Sequence, residues 1–338
     1  MKIYFSQFFP YVKVSMRLVQ QLRLQKKYLQ TELEPLLKEA WESNDGSLEE
    51  SDFKKIRNYY ALFVVAIVGE NYCRLRGKTM TERERKVLTY QGALTGLYDD
   101  FFDHEKRKGR DILAMMNAPF TYVAKDSVEK LFLYFLQQVH SHLENKEEFN
   151  RIFAQIYDVQ QETEMQINST LNAQELKLIS EKKGGLSHLF YRVTLSNNLL
   201  EGEQEAIYEL GSLLQQVNDI FDVWKDRTAG ISTFASKSND MKNTKVEFEK
   251  QMQKVYSLVN KLNYSAQNKR DFFLQFMILI GMGMVSLNQY IQLQEKNNSK
   301  FEVEHFSRHE LVCDMQKKSN LYKLMRVCLS YDFKWSNA

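Results

Sequence analysis

Proline is almost missing from this sequence: 3 residues in 338, none beyond Pro119. Glycine is scarce too, at 13. Strands joined by tight turns use both residues often, so a sheet-rich fold is excluded, and long proline-free stretches suit helices. The expected fold class is all-α. Cysteine stops at 3 (Cys73, Cys313, Cys328), with no metal-ligand spacing; such a set excludes a disulfide framework and reads as reduced thiols of a cytoplasmic protein. Neither sign of charge dominates. A net charge of +3 is too small to point to nucleic acid as a partner. Long apolar runs are missing as well. Tyr59 to Val68 and Phe272 to Val285 both fall short of the roughly 20 residues of a membrane span, so no integral membrane segment is expected. The chain opens without a basic region and small-residue cleavage site, so no secretory signal is expected either.

What is present is apolar and aromatic: 43% hydrophobic and 13% aromatic residues, enough for a sizeable core. No linker, repeat or low-complexity segment divides the chain. We therefore expect one domain over residues 1–338, a motif-bearing core from about 50 to 295 and a polar C-terminal extension from about 297 to 338. Helices are expected over Met16 to Trp41 with a break at Pro35, from Asp52 to about Leu75, and from the capping-box pattern Thr81-Glu82-Arg83-Glu84 onward. Phe120 to His142, Glu147 to Ile179, Gln204 to Asp226, Val246 to Leu262 and Arg270 to Glu295 follow, with weak helix from Arg308 to Leu329. Gly184-Gly185 is expected to break its segment. Thr228 to Asn243 is the longest polar loop and a lid candidate.

Two acidic clusters stand out, each inside an apolar stretch of helical period. In Asp99-Asp100-Phe101-Phe102-Asp103, Asp99 and Asp103 are i,i+4 neighbours with Asp100 a fraction of a turn aside. Such repelling carboxylates need compensation. Mg2+ takes oxygen ligands from one or two carboxylates plus phosphate, which suits them. In the second, Asn218, Asp222 and Asp226 recur at i, i+4, i+8, with Asp219 paired to Asp222 and Lys225 alongside. The clusters are 218 − 99 = 119 residues apart.

These residues resemble the class I isoprenoid synthase superfamily, the all-α terpene synthases and trans-prenyl diphosphate synthases. The first cluster matches the family's DDxxD. Gln215-Gln216-Val217-Asn218-Asp219-Ile220-Phe221-Asp222 looks like the second aspartate-rich motif, with Asn in its first position; Asn218, Asp222 and Asp226 also look like the NSE motif of terpene synthases. Lys183-Gly184-Gly185-Leu186 with Leu189-Phe190 is similar to a KTGxLF segment. Arg107-Lys108-Gly109 resembles an RRG, and Lys54-Lys55-Ile56-Arg57 sits where a GGKRxRP motif would lie, without its glycines and proline.

The resemblance covers about residues 50 to 290 and implies a single-domain antiparallel helix bundle with a central active-site cavity. It implies three Mg2+ ions bridging the two motifs to a prenyl diphosphate substrate. Metal ligands would come from Asp99, Asp100, Asp103, Asn218, Asp219, Asp222 and Asp226, and Asp99, Asp103, Asn218, Asp222 and Asp226 would be catalytic. Lys183, Lys225, Arg227 and Arg107 would hold diphosphate. Tyr98, Phe102, Thr95, Phe190 and Phe221 would line the cavity, with Trp224 nearby. His104 and His188 are conceivable bases. The implied reaction is that of a terpene synthase. Its alternatives are an elongating prenyl diphosphate synthase, which needs a further basic pocket (Lys54, Lys55, Arg57, Arg107, Lys108), and a non-catalytic subunit of such an enzyme. Glu162 and Glu164 would suit a di-iron bundle, but the ExxH pairs it needs are missing. Whether the chain works as a homodimer is left open.

Overall fold

The computed structural model describes residues 3–103, 109–167 and 169–336. Helix accounts for 76% of the chain, and no strand occurs among the described residues. Ile167 and Ile231 form one isolated antiparallel bridge.

Helix α1 (Phe8–Glu32) starts earlier than expected, and α2 (Glu34–Glu42) follows after a break at Leu33. Pro35 lies in the first turn of α2, where its missing N–H costs no hydrogen bond. The next helical run alternates in type: α3 (Glu50–Lys55), a π-helical stretch (Ile56–Tyr60), α4 (Ala61–Phe63), a second π-helical stretch (Val64–Gly69) and α5 (Glu70–Leu75). Glu49, not Asp52, is its N-cap. The Asp52 carboxylate instead accepts from the Glu49 amide at 2.7 Å. Helix α6 (Glu82–Asp103) opens on the expected capping box: Glu84 accepts from the Thr81 amide at 2.9 Å, and Thr81 Oγ1 from the Glu84 amide at 3.2 Å.

After α7 (Ile112–Asn117), α8 (Ser127–His142) begins seven residues later than Phe120, because the Asp126 carboxylate caps it by accepting from the Glu129 amide at 2.9 Å. The helix expected from Glu147 to Ile179 is two, α9 (Lys146–Thr163) and α10 (Ala173–Val193). An Asn-x-x-Glu box starts the second: Asn172 accepts from the Glu175 amide at 3.1 Å, and Glu175 from the Asn172 amide at 2.8 Å.

The expected break at Gly184-Gly185 does not occur; α10 runs through it. These glycines serve close packing. A Cβ on Gly184 would stand 2.3 Å from the Gly211 carbonyl oxygen, and one on Gly185 would meet the Tyr208 ring at 2.6 Å. The second acidic cluster spans α11 (Glu203–Phe221) and α12 (Val223–Thr228), separated at Asp222. The expected lid is stapled down. It contains α13 (Phe234–Lys237), with Phe234 and Ala235 buried, and the Ser232 amide donates to Gln166 O at 2.7 Å. Helices α14 (Met241–Lys261) and α15 (Ala266–Lys296) follow, then α16 (Arg308–Leu311) and α17 (Lys318–Cys328).

Cα packing resolves two compact units. One comprises Met1–Val14, Ala154–Leu189 and Leu199–Ala338; the other comprises Ser15–Phe153 and Phe190–Asn198. In the first, α11, α14 and α15 pack together and α17 lies on α15. Among the described residues α15 is the one helix long and apolar enough to cross a membrane. Yet 78% of its most apolar window is buried, the mark of a core helix. In the second unit α6 packs on α8, with an aromatic cluster at its centre. The three cysteines are unpaired and buried.

Candidate functional site

The second acidic cluster is built where α11 turns into α12. Asp222 leaves helical geometry (φ −91°, ψ 10°), but hydrogen bonds bridge it on both sides, Asp222 N to Asn218 O and Asp226 N to Asp222 O, each 2.8 Å. Helical spacing therefore survives, and burial deepens along the face. Asn218 is exposed, Asp222 half-buried, Asp226 buried. Asp219 is buried as well, accepting from Ser180 Oγ at 2.6 Å and Gln215 Nε2 at 2.9 Å. Tyr290 clamps this end of α11 by donating to Ile220 O at 2.9 Å.

Burial disfavours the ionised form of a carboxyl, and neighbouring carboxylates add to the effect. Asp219 is pushed up to about 6, chiefly by burial; the Ser180 and Gln215 hydrogen bonds and the charge of Lys183 oppose it. Asp226 is pushed up to about 7, by burial and then by repulsion from Asp219 and Asp222, with Lys225 and Lys183 opposing. Among the described residues no hydrogen bond or ion pair reaches the Asp226 carboxylate. Of these three carboxylates, Asp226 is therefore the one whose charged form its surroundings disfavour most.

Two of the basic candidates act on this cluster. Lys183, on α10, lowers both raised carboxyls. Lys225 is exposed and pairs with Asp222 at 3.0 Å. Arg227 does not join them. Its guanidinium donates to Val303 O at 2.8 Å and Phe306 O at 3.1 Å, and lies over the Trp224 ring at 5.4 Å. It fastens the segment before α16. His188, on the same helix as Lys183, lies edge-on to Phe276 at 6.0 Å, and burial drops its imidazole to about 4. Phe221 is half-buried.

The first acidic cluster belongs to the other unit, and there the fold supplies the partners. Tyr60 donates to Asp99 at 2.6 Å. Gly92 and Gly96 of α6 make room for that tyrosine: a Cβ on Gly92 would come within 2.8 Å of Tyr60 O, and one on Gly96 within 3.1 Å of its ring. Asp100 is buried and ion-paired with Lys55. Burial raises its carboxyl, Lys55 opposes, and Asp52 adds to the rise. Thr95 accepts from Tyr191 Oη at 3.2 Å, one turn before Asp99.

Tyr98, Phe102 and Phe190, three residues expected to line the cavity, belong to an aromatic cluster. Tyr98 meets Phe102 and Phe153 at 5.3 Å, and Phe190 meets Phe149 at 4.7 Å and Phe153 at 5.0 Å. The Asp103 side chain, His104, Arg107 and Lys108 lie outside the described residues.

Sequence reasoning missed Ser180, Gln215 and Tyr290. Ser180 and Lys183 stand at i,i+3 on α10, and Gln215 stands four residues before Asp219. Helical spacing to a named residue was the available signal for both. Tyr290 offered none.

Could these residues hold Mg2+? No group of three or more His, Cys, Asp or Glu side chains among the described residues converges on one point. Mg2+ seldom asks for such a cage; one or two carboxylates, with water and phosphate oxygens, is its usual set. Asp222 and the uncompensated Asp226 provide oxygen donors of that kind. No protein-family model matches the chain, and no curated protein sequence is significantly similar to it.

Proposed function

We propose that this protein is a Mg2+-dependent class I terpene synthase acting on an allylic prenyl diphosphate. The observation that carries the reading is the Asp219–Asp222–Asp226 cluster, two of whose carboxylates are buried. Asp219 accepts from Ser180 and Gln215 and Asp222 pairs with Lys225, but among the described residues the Asp226 carboxylate has neither hydrogen bond nor ion pair. Mg2+, when bound, would supply Lewis-acid stabilisation of the charge on departing diphosphate. Asp222 and Asp226 would hold it.

The reaction breaks the allylic C–O bond, and diphosphate leaves with the electron pair. The cation then cyclises and loses a proton, or is captured by water. Lys183 contributes fixed positive charge beside the acidic cluster, where a leaving diphosphate would gain most from it. The apolar burial that raises Asp219 and Asp226 would also keep water from the cation.

Cyclisation is favoured over chain elongation by what has become of the basic residues. Lys55 is paired with Asp100, Arg57 with Glu34 at 2.7 Å and Lys54 with Glu50 at 3.4 Å. A second diphosphate would have to displace those partners.

The test is turnover of C10 to C25 allylic diphosphates with Mg2+, with and without isopentenyl diphosphate. Hydrocarbon or alcohol products in its absence are expected. Products only in its presence would move the assignment to an elongating synthase. No turnover of any of them, with Mg2+ binding shown by calorimetry, would leave the non-catalytic reading.

A further inference from the structure

We propose that the start of α1 together with α17 forms a docking face for an anionic lipid bilayer. This inference does not depend on the proposed reaction. Phe5 and Phe9 are 77% and 79% exposed, and Phe8 and Val12 are exposed beside them. On α17, Leu321, Tyr322 and Met325 are exposed too. The two segments are tied together in one compact unit. Tyr4 N donates to Leu329 O at 2.8 Å, Gln7 donates to Asp332 at 3.1 Å, and the Tyr11 hydroxyl lies beside Cys328.

Charge selects the occupant. From Phe8 to Thr31 α1 carries no acidic residue, and α17 carries none. Lys13, Lys317, Lys318 and Lys323 are exposed, and among the described residues none of them is in an ion pair. Arg326 lies over the Tyr322 ring at 5.9 Å. Exposed aromatic and aliphatic side chains on segments that also carry unpaired lysines match a membrane surface, where rings enter the headgroup boundary and lysines meet anionic lipid. A second copy of the same face would set lysine against lysine. Nucleic acid would meet the lysines but leave Val12, Leu321 and Met325 in water.

The experiment is co-sedimentation of the full chain with vesicles of phosphatidylcholine alone or mixed with phosphatidylserine. Binding is expected only to the mixed vesicles and should weaken with salt. Lys318→Ala/Lys323→Ala is expected to weaken it about thirtyfold, from about 1 kcal/mol per basic residue near the surface. Phe5→Ser/Phe9→Ser is expected to weaken it at least about tenfold. Both pairs are exposed, so melting temperatures should match the parent's. No binding, equal binding to both vesicles, or binding that neither variant changes would overturn the proposal. So would a dimer in ultracentrifugation that Phe5→Ser/Phe9→Ser dissociates, which would assign the face to a second copy.

Discussion

The two acidic clusters contain the same residue types at similar spacing, yet the fold treats them oppositely. At α6 each described carboxylate has a partner: Asp99 the Tyr60 hydroxyl, Asp100 the Lys55 ammonium. At the junction of α11 and α12 burial, and after it neighbouring carboxylates, raise Asp219 and Asp226, and Asp226 has neither hydrogen bond nor ion pair among the described residues. Spacing alone therefore says little about what a carboxylate is for. The unpartnered Asp226 is the carboxylate that an added cation would stabilise most.

The contrast can be broken most directly by opposite charge deletions. Asp222→Ala should lower turnover by at least about a hundredfold while circular dichroism stays that of the parent. Parental activity in this variant would sink the metal assignment. Stability should then separate the clusters by sign. Lys55→Met leaves the buried Asp100 beside Asp52 and, with the half-exposed lysine screened by solvent, should cost about 1 kcal/mol in urea unfolding at pH 7.

Asp226→Asn should do the reverse in the metal-free protein. Its carboxyl lies at about 7 when folded and near 3.8 when unfolded, so between those values the folded state binds more protons. The Asp226 contribution to the parent's stability therefore falls as pH rises across that window. The Asn variant should show no gain below pH about 4 and a gain of about 2–4 kcal/mol above pH 7. In the parent, Mg2+ should raise the melting temperature at pH 7 and release protons on binding; in Asp226→Asn both effects should shrink. A parent-minus-variant difference that stays flat with pH would show that Asp226 is compensated after all.

Smaller effects should sharpen the comparison. Gly184→Ala forces α10 from α11, which carry Lys183 and Asp219, and should cost about 1–3 kcal/mol by chemical denaturation. Arg227→Ala should cost about 1 kcal/mol and leave turnover per folded molecule within a few-fold, since that guanidinium serves backbone carbonyls. Lys183→Ala should lose most turnover with little change in stability. If the two variants exchange behaviour, the diphosphate contact belongs to Arg227.

Much of the helical layout was legible because it depends on local rules. The Thr81–Glu84 box and the Pro35 break both stand where residue chemistry puts them. Misread boundaries share a cause. The Asp126 and Asn172 caps sit inside stretches whose apolar period runs on unbroken, so periodicity hid them. Gly184-Gly185 misled for another reason. Glycine lowers helix propensity by only about 1 kcal/mol, and the close packing it permits against Gly211 outweighs that.

By itself, then, the sequence determined that this chain is helical, that its core is large, and where carboxylates repeat at helical spacing. Those follow from residue type and short-range geometry. Which carboxylates are neutralised was decided by tertiary structure alone. A lysine 45 residues away answers Asp100. A serine 39 residues away answers Asp219, and nothing comparable answers Asp226. Burial and charge pairing depend on what packs alongside, and no local pattern records it.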